Sequence, residues 1–316
     1  MKYLLLFFIV FASCKSATIQ LTPTEKEVVI ESSGGHIHGS LLLPADTSKS
    51  MPFVLIIAGS GPTDRNCNGS GFKSDAYKLL ADSLAKRGIA SYRYDKRGVG
   101  MSKDFKMEET ALRFDDFVND AVSCINHFNT NKLFSKIIVV GHSEGALVGM
   151  LACKQTKTEG YISLCGAGRP IDMVLKEQLA KQPDAIKNES YRIIDSLRNG
   201  TVVKNVAPLL ASLFRESVQP YLISWIKYNP AKEISELKIP SLIIGGDSDI
   251  QVSVAEADSL HKGNPDSNYK IIAGMNHPLR TGFKNQAENL ASYNKPEMPI
   301  ASDLVKSVAD FIEGLK

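Results

Sequence analysis

Gly141-His142-Ser143-Glu144-Gly145 places a serine between two glycines, each one residue away. An apolar run over 137–140 leads into it, and a helix-like stretch over 146–154 follows. A serine on a tight strand-to-helix turn has its hydroxyl lifted off the end of a sheet, where a substrate can reach it. Glycines flank such a serine because side chains there would clash. Gly-x-Ser-x-Gly alone recurs by chance; the strand before it and the helix after it give it weight here. A serine hydroxyl is a weak nucleophile at neutral pH, so it needs a base, and the base needs an orienting carboxylate.

Two histidines lie beyond Ser143 with acids before them, His261 and His277. His261 falls late in a helix-like run beside Lys262 and suits a helix C-terminus. His277 sits in Gly274-Met275-Asn276-His277-Pro278, just past the last apolar strand, where a base can swing over a sheet edge. The acid belongs in the loop after a strand over 241–244, which reads Gly245-Gly246-Asp247-Ser248-Asp249-Ile250-Gln251-Val252. Either aspartate could serve. Asp249 has Gly246 three residues before it and an apolar anchor at Val252; Asp247 could instead hold the turn by bonding to backbone. An acyl-transfer site also needs two oxyanion donors. One is the amide of Glu144, the residue after the serine. The other is assigned to Ser60, in the small-residue loop Gly59-Ser60-Gly61-Pro62-Thr63-Asp64-Arg65. That loop lacks the spacing of a phosphate cradle.

These residues must be held by regular elements. Strand composition appears over 27–30 and 37–43, with Gly34-Gly35 as a hairpin turn. Beyond it, strands over 53–58, 90–94, 137–140 and 161–164 alternate with helices over 76–87, 111–128 and 146–154. That alternation implies an α/β fold with a mostly parallel sheet covered on both faces, opened by antiparallel N-terminal strands. The alternation pauses over about 172–237, which reads as helices (173–181 and 189–197 among them) and is expected to be an inserted helical cap. A strand over 241–244, a helix over 254–261, a strand over 269–272 and a helix over 301–314 complete the domain, expected to run over 26–316. Asp95 and Arg97, in Tyr94-Asp95-Lys96-Arg97-Gly98-Val99-Gly100-Met101-Ser102, are expected to hold their loop near the serine turn by charged hydrogen bonds.

Taken together, Asp-x-Arg-Gly-x-Gly-x-Ser, Gly-His-Ser-x-Gly, the Gly-x-x-Asp loop and the late histidine resemble the α/β-hydrolase superfamily. The finer resemblance is to a bacterial branch of serine aminopeptidase-like, lysophospholipase-like and esterase proteins. It rests on Gly59 to Arg65, on Tyr94 to Gly100, and on the aromatic segment Trp225 to Pro230. Gly246 to Val252 and the pair Asn276-His277 complete it. The resemblance implies an α/β-hydrolase fold with Ser143, Asp249 and His277 as nucleophile, acid and base. It implies hydrolysis of a carboxylic ester through an acyl-enzyme, needing no metal or organic cofactor. The alternatives are a serine peptidase or amidase on short peptides, a lysophospholipase or thioesterase, and a non-catalytic binding lipoprotein on the same scaffold. Asn229 stands where that branch often has Asp, and Pro278 where an apolar residue is usual.

Met1-Lys2, an apolar run over 3–11 and Ala12-Ser13-Cys14 have the three regions of a signal peptide, expected over 1–13. The cysteine after two small residues resembles the lipobox of bacterial lipoproteins, although Phe11 stands where Leu is usual. That resemblance implies acylation of Cys14, a lipidated N-terminus and linker over 14–25, and a membrane-tethered protein of the cell envelope facing the periplasm or cell surface. The plain alternative is a secretory signal with an incidental cysteine. Cys67, Cys124, Cys153 and Cys165 lack metal-site spacing and read as small core residues. The formal net charge of +3 over 316 residues, with scattered Lys and Arg, offers no footprint for nucleic acid. The expected partner is a small ester or short acyl substrate.

Overall fold

The computed structural model describes residues 22–316. The expected signal peptide and Cys14 lie outside the described residues. Of the expected 14–25 linker, Thr24 and Glu25 belong to the first strand.

The chain opens with a hairpin of β1 (Thr24–Ser32) and β2 (Gly35–Leu43), then β3 (Met51–Ile57). A two-residue-strand hairpin, β4 (Asn68–Gly69) and β5 (Phe72–Lys73), precedes α1 (Ala76–Ala85) and β6 (Ala90–Tyr94). Next come α2 (Phe114–Asn129), β7 (Phe134–His142), α3 (Glu144–Cys153) and β8 (Gly160–Leu164). Five helices follow without a strand: α4 (Ile171–Leu179), α5 (Asp184–Arg198), α6 (Ala211–Phe214), α7 (Gln219–Ile226) and α8 (Pro230–Ser235). The chain closes with β9 (Ser241–Gly246), α9 (Val254–Gly263), β10 (Asn268–Ile272), α10 (Gln286–Ala291) and α11 (Ser302–Gly314).

Eight strands form one sheet in the order β1-β2-β6-β3-β7-β8-β9-β10. The β1–β2 and β2–β6 pairs are antiparallel, and every other pair is parallel. Successive side chains on a strand point to opposite faces. In β3, Phe53, Leu55 and Ile57 enter one core with α2 and α3, while Val54 and Ile56 enter the other with α1 and α11. Burial on both faces is why this strand reads as a continuous apolar run. Helix α3 is buried along its whole length, and its sequence is correspondingly apolar all round.

The β8–β9 segment is fastened to the body at several points. Phe114 N donates to Ser224 Oγ at 2.8 Å, and the Trp225 ring stacks on Phe114 with centroids 5.5 Å apart. Arg169 Nε donates to the buried Glu256 of α9 at 2.6 Å. Among the described residues no helix is long and apolar enough to cross a membrane.

Candidate active site

Ser143 sits between β7 and α3 at φ 54° and ψ −119°, a conformation that L residues rarely adopt. Two packing constraints impose it. A Cβ on Gly145 would fall on the carbonyl oxygens of Ile57 and Ala58, and one on Gly141 would fall on the backbone of Gly145. Only glycine lets the turn close this tightly against β3. Ser143 N donates to Leu164 O at 2.9 Å, which ties the turn to β8.

Asp249 lies in the loop after β9 and His277 in the loop after β10, parallel neighbours in the sheet. Both loops emerge at the same edge, and His277 Nδ1 meets Asp249 Oδ2 at 2.7 Å. Asp249 Oδ1 accepts from the amides of Gln251 and Val252 at 2.8 and 2.9 Å. Burial pushes the Asp249 carboxyl up, but the His277 charge and hydrogen bond, with those two amides, outweigh it and hold the group below the usual carboxylate range. The bond to Asp249 occupies Nδ1 and leaves Nε2 as the free nitrogen of the His277 ring. Asp247 instead accepts from Gly274 N at 2.6 Å, pinning the acid loop to the histidine loop. His261 lies in the last turn of α9, bonded to Ser267 Oγ at 3.0 Å and stacked on Tyr269.

His142, buried beside Ser143, ties the histidine loop to the interior. Its Nε2 lies 2.9 Å from the His277 carbonyl oxygen and must donate there. Its Nδ1 lies 2.8 Å from the Tyr77 hydroxyl. Burial lowers the His142 pKa to about 3, helped by the neighbouring His277 charge, so the ring is neutral and Nδ1 accepts. Burial pushes the Tyr77 phenol well up, so it stays protonated and donates to His142 while accepting from Gly59 N at 3.0 Å. One chain of hydrogen bonds thus runs from the Gly59 amide through Tyr77 and His142 to the backbone of His277. Cys165, at the end of β8, offers its sulfur within 4.8 Å of both imidazoles. Both His142 nitrogens and His277 Nδ1 are already engaged, so this cluster is arranged for hydrogen bonding rather than for a metal. Burial pushes the Cys165 thiol well up, and the Asp249 charge adds to it, so the sulfur is a neutral packing atom. Cys67, Cys124, Cys153 and Cys165 are all free thiols.

Ser60, Ser143 and Glu144 line one cavity of about 200 Å³. Leu147, Val174, Leu175, Leu213, Leu222 and Trp225 supply apolar walls, most of them from the helices between β8 and β9. The cavity is therefore roofed by the segment that the sequence marks as an insertion.

The loop after β6 is held by the charged hydrogen bonds expected of Asp95 and Arg97, and it lies against the serine turn. Asp95 accepts from the Arg65 amide and guanidinium, both at 2.8 Å. Arg97 makes a two-pronged pair with the buried Asp120 of α2, at 2.7 and 2.6 Å. These two residues hold the loop to the Arg65 segment and to α2. Lys96 is the residue that reaches the serine turn, donating to Gly59 O at 2.7 Å and lying 3.4 Å from Glu144 Oε1. Tyr221 of α7 donates to the other Glu144 oxygen at 2.7 Å. Sequence reasoning did not single out Tyr77, Lys96 or Tyr221. Tyr77 reads as one more apolar position of an amphipathic helix, and a lysine between Asp and Arg reads as a solvated turn.

Two solved structures have a similar architecture. Est1E from Butyrivibrio proteoclasticus aligns over 91% of this chain and 99% of its own, with a TM-score of 0.59 at 16% identity. The Pyrococcus furiosus esterase Pf2001 aligns over 92% and 93%, with a TM-score of 0.57 at 14% identity. The chain has the α/β-hydrolase fold. The family described as serine aminopeptidase, S33, matches residues 66–204, a span that takes in Ser143 and ends before Asp249 and His277. Esterase EstD of Thermotoga maritima is 25% identical over 272 residues, 82% of this chain. The chain spans 60% of the length of that relative. The turn at Ser143 stands at a strand-to-helix junction, the place where this fold can carry a nucleophile elbow.

Proposed function

We propose that this chain is a serine esterase acting on carboxylic esters with a small to medium apolar acyl group. The observation that carries the reading is the hydrogen bond between Asp249 and His277, with Ser143 on a strained elbow facing the cavity that Ser60 and Glu144 share. His277 takes the Ser143 proton as the hydroxyl oxygen attacks the ester carbonyl. The amides of Ser60 and Glu144 receive the oxyanion. The C–O bond to the alcohol then breaks, and His277 returns the proton to the departing oxygen. Water, deprotonated by His277, resolves the acyl-enzyme to the acid and free Ser143. Asp249 holds the His277 tautomer and balances the imidazolium charge.

The cavity also favours an ester over a peptide with a free amino terminus. Among the described residues Glu144 is the one acidic side chain lining it, and Lys96 and Tyr221 already engage its oxygens. The reading extends to location: residues 1–13 as a cleaved export signal and Cys14 as a lipidated N-terminus, supported by their residue pattern. Labelling with an alkyne fatty acid in cells, lost in Cys14→Ser, tests that part.

The activity test is hydrolysis of p-nitrophenyl esters of increasing acyl length, with Ser143→Ala alongside. Ser143-dependent turnover with a short-to-medium optimum is expected. Folded protein with no turnover on any ester would overturn the esterase reading.

A further inference from the structure

We propose that Lys96 is a positioning residue for the oxyanion hole, acting through the Gly59–Ser60 peptide. This rests on the esterase reading above and deepens it.

Lys96 is buried, with 6% of its side chain exposed, at a point where an unpaired charge would be costly. Its ammonium donates to the Gly59 carbonyl at 2.7 Å, lies 3.4 Å from Glu144, and sits 4.9 Å from the centre of the Phe117 ring. The Gly59 carbonyl and the Ser60 N–H belong to one planar peptide unit and point in opposite directions. A cation fixed on the carbonyl therefore fixes the direction of the N–H. Gly59 packs against the serine turn, where a Cβ on it would lie 3.1 Å from Ser143 Cβ. Ser60 lines the cavity beside Ser143. The ammonium also polarises the peptide, making its N–H a stronger donor to an oxygen that gains charge. Through Glu144 the same ammonium grips the residue that supplies the second donor amide. Gly59 is held at its other end as well, its own N–H donating to Tyr77. Neither anchor touches substrate, and both act on the backbone that does.

The test compares the whole enzyme with Lys96→Met, using an ester substrate and a pair of inhibitors. One inhibitor is a trifluoromethyl ketone, which Ser143 attacks to give a tetrahedral oxyanion. The other is the matching secondary alcohol, which fills the cavity without reacting. Lys96→Met is expected to lower kcat by about 10- to 100-fold, less than the ~10²–10³ lost when a donor is removed outright. Ketone affinity should fall in step, while KM and alcohol affinity stay within about twofold. A folded Lys96→Met with parental kcat and ketone affinity overturns the proposal. Equal losses for ketone and alcohol also overturn it, since they mark a merely structural lysine. Where Lys96→Met does not fold, Lys96→Gln keeps a donor without the charge. It should show the same selective loss at smaller size, and parental behaviour there overturns the proposal. Failure of the esterase reading is separate: it appears in the parent protein, as absent turnover or turnover that survives Ser143→Ala.

Discussion

His142 Nε2 donates to the backbone carbonyl of His277 across 2.9 Å, joining positions 135 residues apart. The neighbour of the candidate nucleophile thereby holds the loop of the candidate base. The other ring nitrogen, Nδ1, accepts from Tyr77, so a proton added there removes that acceptor and breaks the chain between His142 and Tyr77. This makes a histidine that takes no part in proton transfer a determinant of acid stability.

Burial lowers the His142 pKa from 6.5 to about 3 in the folded protein. Between those values the unfolded chain binds one more proton than the folded chain at this site. Stability therefore falls as pH drops from 6.5 towards 3, by on the order of 1 kcal/mol per pH unit. The expected result in urea unfolding across that range is a shallower pH slope for His142→Gln than for the parent, from a lower starting stability at neutral pH. Identical slopes would remove His142 from the account.

Asp249→Asn should leave the fold and KM near parental and lower kcat by about 10⁴-fold, through loss of the tautomer that Asp249 selects. The Asp249 pKa is depressed on folding, so its stabilising contribution is present above the unfolded carboxylate value, about 3.9. It is lost as pH falls through the lower folded value. The variant should lack that final acid-dependent component, read from unfolding curves at the acid end.

Gly145→Ala places a methyl group on the carbonyls of Ile57 and Ala58, which are backbone and cannot rotate away. The expected cost is at least ~1–3 kcal/mol of overpacking, with activity falling as the elbow shifts. Denaturant unfolding of the variant at parental midpoint would contradict the tight β3–elbow contact.

Leu213, on α6, lines the apolar end of the cavity and is only partly buried. Leu213→Ala should move the p-nitrophenyl ester optimum to longer acyl chains. The change in kcat/KM ratio between neighbouring chain lengths should be roughly 10-fold, the worth of a methylene or two in an apolar pocket. An unchanged profile would place the acyl chain elsewhere.

Local pattern made much of this structure legible. The turn at Ser143 was readable because a strand-to-helix junction dictates glycine on both sides, and that demand is local. The doubly covered strands were readable because burial on both faces forces apolar residues at every position, as in β3. The predicted helices shifted by a few residues at their ends; the one expected over 111–128 begins at Phe114, after a 3₁₀ turn over Glu109–Ala111. Tyr77 and Lys96 were not readable, for one shared reason. Their partners are backbone and side-chain atoms on other strands and loops, and no local spacing encodes them. The partner of Arg97 is not readable for the same reason, since Asp120 is brought to it by the packing of α2 across the sheet.

The sheet order carries a consequence for how the chain comes into being. Ser143 follows β7, but its candidate acid and base follow β9 and β10, beyond β8 and the five helices after it. Synthesis proceeds from the N-terminus and non-local strand pairing is slow. A nascent polypeptide therefore displays its serine for some time with neither partner in place. On the esterase reading, fragments that end within the helical insertion lack a base for Ser143, and reactivity switches on only when β10 joins β9. Onset of acyl transfer is thus a late reporter of completed folding, and a stalled product exposes no competent nucleophile to the esters around it.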